Sequence, residues 1–150
     1  MRVVLQIVKE AHVELNGETI SKIGKGFVLL VGFNCDDNEY IAKKMAEKIA
    51  KLRIFPDENG KTNLSLDKVD GEILSVSQFT LYGSVKEGNR PSFVEAMSQE
   101  LAGDMYQYFL SELGKLVPKL QSNVFHTDCQ VHIVNDGPFT LVLDSKELVK

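Results

Sequence analysis

The sequence predicts an α/β chain of the α+β type: one domain over residues 1–150, with a mixed, largely antiparallel, barrel-like sheet packed by about three helices. Three observations carry this. Asn16-Gly17, the strongest short hairpin signal, sits between two strand-like runs. Phe27 to Phe33 (FVLLVGF) is a continuous apolar run, the mark of a strand buried on both faces. Around these runs lie segments whose apolar residues recur every three or four positions. The resulting order is strands, helix, strands, two helices, strands.

Met1 to Leu15 is rich in Val, Leu and Ile and reads as extended chain up to the hairpin, with a second strand over residues 18–23. Gly24 and Gly26 bracket a turn before the apolar run. Asp36 to Leu52 predicts a helix: Asp36 and Glu39 have capping-box spacing. Ile41, Met45, Ile49 and Leu52 form its apolar stripe, with Ala42, Ala46 and Ala50 beside it. Lys43, Lys44, Lys48 and Lys51 fall on the other side. In LRIFPDENGKTNLSL, Pro56 and Asn59-Gly60 place a turn between two short extended pieces. Gly71 to Tyr82 reads as a strand, and Gly83 to Pro91 as a polar loop. Ser92 with Glu95, again at capping-box spacing, predicts a second helix. A third is expected from about Asp104 to Val117, with Met105, Phe109, Leu113 and Leu116 on one face and Pro118 ending it. Beyond it Val131 and Ile133 alternate with Gln130 and His132. Asn135-Asp136-Gly137-Pro138 predicts a turn into a last strand, Phe139 to Leu143.

A net charge of −4 argues against a protein that coats nucleic acid without regard to sequence, although a local basic patch stays compatible with it. Cys35 and Cys129 lack both the number for a disulfide framework and the paired spacing of a zinc site, so two thiols in a reducing cytoplasm are expected. No segment approaches the roughly 20 apolar residues of a membrane span.

The familiar catalytic signatures are missing: no G-x-S-x-G around Ser77, no phosphate-binding glycine loop, no H-E-x-x-H. His12, His126 and His132 each read as hydrogen-bonded strand-face or surface residues, and a His126–Cys129 pair is disfavoured. Two segments stand out. Ser77-Gln78-Phe79-Thr80 puts neutral hydrogen-bonding groups in an otherwise apolar strand. Asn135 to Thr140 (NDGPFT) holds a Gly-Pro pair, which offers carbonyls and, at the proline, no donor.

At these segments the chain resembles a known family. SQFTL (Ser77–Leu81) and NDGPFT are similar to the two signature motifs of the D-aminoacyl-tRNA deacylases. LRIFPDENGKTNLSL, GNRPSF and the terminal LDS fit the same family, in the same order, from Met1 to about Ser145. The resemblance implies a cytoplasmic enzyme, without metal or organic cofactor, that hydrolyses the ester between a D-amino acid and tRNA. It implies a homodimer with each active site at the subunit interface. Ser77, Gln78, Phe79 and Thr80 would form the catalytic segment. Gly137 and Pro138, joined by a cis bond and supplied by the second subunit, would bind substrate with Asn135 and Thr140. Lys86, Arg90 and the Lys43 to Lys51 stripe are candidates for tRNA phosphate contacts; DNA and membranes are not expected partners. The chain departs from the family at Ile7, where Arg is usual, and at His126-Thr127-Asp128-Cys129, where Gly-Ala-Asp-Met is usual. If that Arg holds the Gly-Pro turn, another group must do so here. On the residues alone, an inactive tRNA-binding module and a Ser77-dependent hydrolase remain alternatives.

Overall fold

The computed structural model describes residues 1–150. In chain order it forms β1 (Arg2–Leu15), β2 (Glu18–Ile23), β3 (Gly26–Gly32), α1 (Glu39–Ala50), β4 (Arg53–Pro56), β5 (Thr62–Ser65), β6 (Glu72–Ser77), α2 (Gln99–Leu116), β7 (Leu120–Ser122), β8 (Gln130–Asp144) and α3 (Ser145–Leu148). Single 3-10 turns occupy Leu66–Val69 and Phe79–Tyr82. No helix is long and apolar enough to cross a membrane.

β1 is paired on both edges. Its first half runs antiparallel to β3, from Arg2 opposite Gly32 to Val8 opposite Gly26. Its second half pairs with β2 across the predicted hairpin, whose Asn16 and Gly17 both take positive φ, as a type I′ turn requires. β8 lies antiparallel along the other edge of β1, from Arg2 opposite Asp144 to Glu14 opposite Gln130. Beyond β3 the sheet turns parallel, through β6 to β7. Such pairs need crossovers, supplied here by α1 with the β4–β5 hairpin, and then by α2. The sheet curls until β2 meets β7. Ser21 Oγ donates to Ser122 O (3.1 Å) and the Lys22 N–H donates to Gln121 Oε1 (2.8 Å), so side chains nearly close the barrel.

β3 shows why a strand can be apolar throughout. Phe27, Leu29 and Val31 join the main core under the helices, with Met45 and Ile49 of α1 and Tyr106, Phe109 and Leu113 of α2. Val28 faces the other way, into a smaller core inside the barrel with Val8, Ala11, Val13, Ile23, Leu74 and Val76. Each fully buried Met, Ile or Leu here is worth about 2 kcal/mol of transfer from water. The approach of β3 to β6 requires Gly26: a Cβ there would sit 1.8 Å from Glu72 O. Cys35 and Cys129 are free thiols.

Several boundaries differ from expectation. α1 is capped by Asn38, whose side chain accepts from the Ile41 N–H; Asp36 is outside the helix, its own N–H bonded to Asn34 Oδ1. No helix starts at Ser92. The Cys35 N–H donates to Glu95 O (3.1 Å) and the Met97 N–H to Phe33 O (3.0 Å), so tertiary bonds to the end of β3 hold residues 92–97 as loop. The expected second and third helices are a single one, α2, beginning after Ser98. It buries Tyr106 rather than Leu116. The expected strand over residues 71–82 ends at Ser77. The segment Asn135 to Thr140 is no turn between two strands: β8 continues through it.

The open ends of β1 and β8 are tied by Arg2, whose guanidinium donates to Asp144 Oδ2 at 3.1 and 3.2 Å. Burial, the largest influence on the Asp144 carboxyl, pushes it up. The Lys146 N–H and Arg2 outweigh burial and hold it below the ordinary carboxylate value. Because the folded carboxyl is the stronger acid, its contribution to stability is complete above the unfolded value, about pH 4, and is lost as pH falls through the folded one. The gap in urea midpoint between the wild type and Arg2→Met should therefore be full at neutral pH and narrow below about pH 4. A gap that stays constant down to pH 2 would overturn this.

Candidate active site

A cavity of about 850 Å³ opens at the carboxyl ends of β3 and β6, where parallel strands commonly present a binding crevice. Val31, Gly32 and Phe33 line one side. Val76, Ser77, Gln78 and Phe79 line another, with Phe93, Met97 and Phe125 supplying apolar wall.

The chain turns sharply after Ser77, and buried polar groups fix the turn. The Ser77 N–H donates to Asn123 Oδ1 (3.1 Å), and the Gln78 N–H donates to Val31 O (2.7 Å). Asn123 is itself held, its N–H donating to Ser75 O (3.1 Å). The buried Tyr106 hydroxyl donates to Ser75 Oγ (3.0 Å) and lies 3.3 Å from Asn123 Oδ1. Burial raises the Tyr106 phenol far above its ordinary value, so it stays protonated. Gly32 lets the turn approach: a Cβ there would meet Gln78 O at 2.8 Å. On the far side Arg2 Nη1 donates to Leu81 O (2.8 Å). The outcome is selective. The Ser77 and Gln78 amides are spent on structure. The Phe79 and Thr80 amides open a 3-10 turn and so have no acceptor within it.

Of the four residues expected in the catalytic segment, Ser77, Gln78 and Phe79 line the cavity; Thr80 does not. The Thr80 hydroxyl accepts from Gln78 Nε2. No histidine is hydrogen-bonded to Ser77 or Thr80, so neither has the base a nucleophile needs. His126, Asp128 and Cys129 all line the cavity, which their spacing did not reveal, yet no hydrogen bond joins them. Sequence reasoning missed Asn123, Tyr106 and Arg2. Their partners are far along the chain, and no local pattern marks them.

The second motif lies elsewhere. Between Val8 opposite Asn135 and Gln6 opposite Thr140, β8 has three more residues to place than a regular ladder would hold, and they bulge outward. Asn135 spans the bulge: its Oδ1 accepts from the Phe139 N–H (3.1 Å) and its Nδ2 donates to Thr140 Oγ1 (3.1 Å). Gln6 Nε2 adds a bond to the same hydroxyl (3.3 Å). These side chains hold the bulge without the arginine that is usual at position 7, where Ile7 is buried in the core. The Gly137–Pro138 peptide is cis, and Gly137 has φ +129°, a conformation that L side chains rarely adopt. Gly137 and Pro138 are exposed, and none of Asn135, Gly137, Pro138 or Thr140 lines the cavity of its own chain. Lys86 and Arg90 are exposed on the loop after the first motif.

Comparison with known proteins agrees with these features. The D-Tyr-tRNA(Tyr) deacylase family matches residues 4–144. The D-aminoacyl-tRNA deacylase of Lactobacillus acidophilus is 54% identical over 144 residues, covering 96% of this chain and 99% of that protein. The one from Thermosipho africanus is 48% identical over 148 residues, covering 99% of each. Among solved structures, the c-Myc DNA Unwinding Element Binding Protein superposes with a TM-score of 0.91 at 41% identity, over 96% of this chain and 98% of that one. A probable eukaryotic D-amino acid tRNA deacylase superposes with a TM-score of 0.84 at 17% identity, over 95% and 97%, a likeness of fold alone. With signature segments, fold and whole-length matches in agreement, the chain belongs to the D-Tyr-tRNA(Tyr) deacylase family.

Proposed function

We propose that the chain hydrolyses the ester joining a D-amino acid to the 3′ end of tRNA, releasing the free amino acid, and that it does so as a homodimer. Each cavity is completed by Gly137 and Pro138 of the partner subunit. The observation that carries this is the placement of the second motif: a Gly-Pro pair held outward, exposed, and not lining the cavity of its own chain. Val134 and Val142, on either side of the bulge, are 47% and 65% exposed, as a strand surface awaiting a second copy would be.

In that arrangement the Gly137 and Pro138 carbonyls accept from the substrate α-amino group. With the amino group and the ester fixed, a D side chain leaves toward open space, while an L side chain meets the Gly-Pro backbone. Rejection by collision needs no contact with the accepted side chain. Many D-amino acids are therefore admitted, and so is glycine, which has nothing to collide. The role is removal of wrongly charged tRNA before translation uses it.

Water adds to the ester carbonyl, the carbonyl oxygen gains charge, and the bond to the ribose oxygen breaks as that oxygen takes up a proton. The free Phe79 amide, at the cavity wall, is the donor placed for the developing oxyanion. The ribose 2′-hydroxyl orients the water, so the protein contributes mainly position. Thr80 supports the Gln78 side chain through their hydrogen bond. Lys86 and Arg90 lie on the loop that follows the first motif, suited to phosphate contact.

The decisive assay is ester release from D-Tyr-tRNA and L-Tyr-tRNA by the purified chain. Release from the D form at least about 100-fold faster is expected. Equal rates count against chirality selection, and tRNA binding without ester loss would identify an inactive module. At the turn, a methyl at Gly137 is strained at φ +129° and would lie 3.1 Å from the Phe139 nitrogen. Gly137→Ala should lower kcat/KM on D-Tyr-tRNA by about 100-fold, with the dimer retained; near-normal activity would refute backbone recognition. Sedimentation at assay concentration should give a dimer, and an active monomer would refute the shared cavity.

A further inference from the structure

On the strand pair that carries the bulge, outside the cavity lining, lies a cluster that hydrolysis does not use. His12 and Glu14 are two apart on β1, so they project from the same face. His132 on β8 is registered directly opposite His12. One donor atom from each of the three lies within 4.8 Å of the others. His12 Nε2 is 3.2 Å from Glu14 Oε1, and His132 Nε2 is 3.5 Å from the same oxygen.

We propose that His12, Glu14 and His132 form a binding site for a divalent transition metal, with zinc as the best match. Two imidazole nitrogens and one carboxylate oxygen are a donor set suited to zinc, and too nitrogen-rich for magnesium or calcium. Zinc holds such atoms at about 2.0–2.2 Å, which places tetrahedral ligand atoms about 3.3 Å from one another. Two edges of that tetrahedron, 3.2 and 3.5 Å, already exist here. The third edge closes by turning the imidazoles, now stacked with centroids 4.1 Å apart and planes at 9°, out of their stack. In the single chain the His12 and His132 side chains are 28% and 47% exposed, so neither ring is locked by packing. A water molecule completes the fourth position.

The site sits outside the cavity, since none of the three residues lines it. Its role is therefore that of a clip. An ion bound to β1 through two residues and to β8 through one fixes the register of that pair. The fixed point is three residues from Asn135, where the bulge begins. All three donors belong to one chain, so the site is complete without a second copy.

The test uses the full chain stripped with EDTA. Zinc chloride is titrated by calorimetry, and cobalt chloride by absorption, with thermal unfolding followed at each metal level. One ion per chain, a dissociation constant in the micromolar range and a rise in Tm with added zinc are expected. His132→Ala and Glu14→Gln should each weaken zinc by at least about tenfold and abolish the rise. A Cys35→Ser/Cys129→Ser double variant should bind as the wild type does, and cobalt should show no thiolate charge-transfer band. No saturable binding up to about 1 mM overturns the site. So does unchanged binding in both ligand variants, or binding lost with the cysteines. If a ligand variant fails to fold, the wild-type stoichiometry and cobalt spectrum decide by themselves.

Discussion

The antiparallel pairing of β1 with β8 is the constraint on which the rest of this structure depends. β1 satisfies its backbone on both edges, β8 along one and β3 then β2 along the other. That double pairing sets the curvature that brings β2 to β7. It also leaves the excess residues of β8 only one direction, outward, because Ile7 beneath them is packed in the core. The outward display of Gly137 and Pro138 thus follows from register. A one-residue slip of β8 would turn its inward set of Val131 and Ile133 to solvent, which the barrel core resists.

The cavity is governed by a second accounting, of backbone donors. A buried N–H must find an acceptor. At the mouth of the cavity the Ser77 and Gln78 amides find theirs in Asn123 and Val31. The 3-10 turn then leaves the amides of Phe79 and Thr80 without internal partners. The free backbone donors of the motif therefore lie two and three residues beyond Ser77. Asn123 matters because it terminates the strand. It meets the amide that would otherwise call for another residue of ladder, and the chain is free to turn.

Much of this was legible in the sequence. Asn16-Gly17 specifies its turn by conformation alone, since both residues tolerate positive φ. The apolar run of β3 reflects burial on two faces, and the stripe of α1 gives its buried Met45 and Ile49 directly. The failures share one cause. Ser92 and Glu95 carry a valid capping pattern, but the backbone near them bonds to the end of β3, and those tertiary bonds outweigh a local preference of about 1 kcal/mol. Asn135-Asp136-Gly137-Pro138 has the composition of a reversal. Composition does not distinguish a reversal from a bulge; the strand opposite decides. The site was legible as two motifs and not as a geometry, since Asn123 and Tyr106 reach Ser75 and Ser77 across long stretches of chain.

The cis Gly137–Pro138 pair was expected from family resemblance alone, and its support in this chain has a physical lesson. Where an arginine is usual, Ile7 offers only apolar contact, yet the bulge is held. Asn135, Thr140 and Gln6 form a closed set in which one hydroxyl accepts from two amides and one amide oxygen accepts from the backbone beyond the proline. Neutral groups suffice because Asp136, the charged residue of the bulge, is exposed and needs no partner inside it. What it needs is a fixed direction for two carbonyls, and short side chains anchored on a paired strand give direction at little entropic cost. In the proposed hydrolysis, a wall made of backbone would have no flexible side chain to rotate out of the way, so rejection of an L substrate would rest on covalent geometry rather than on affinity.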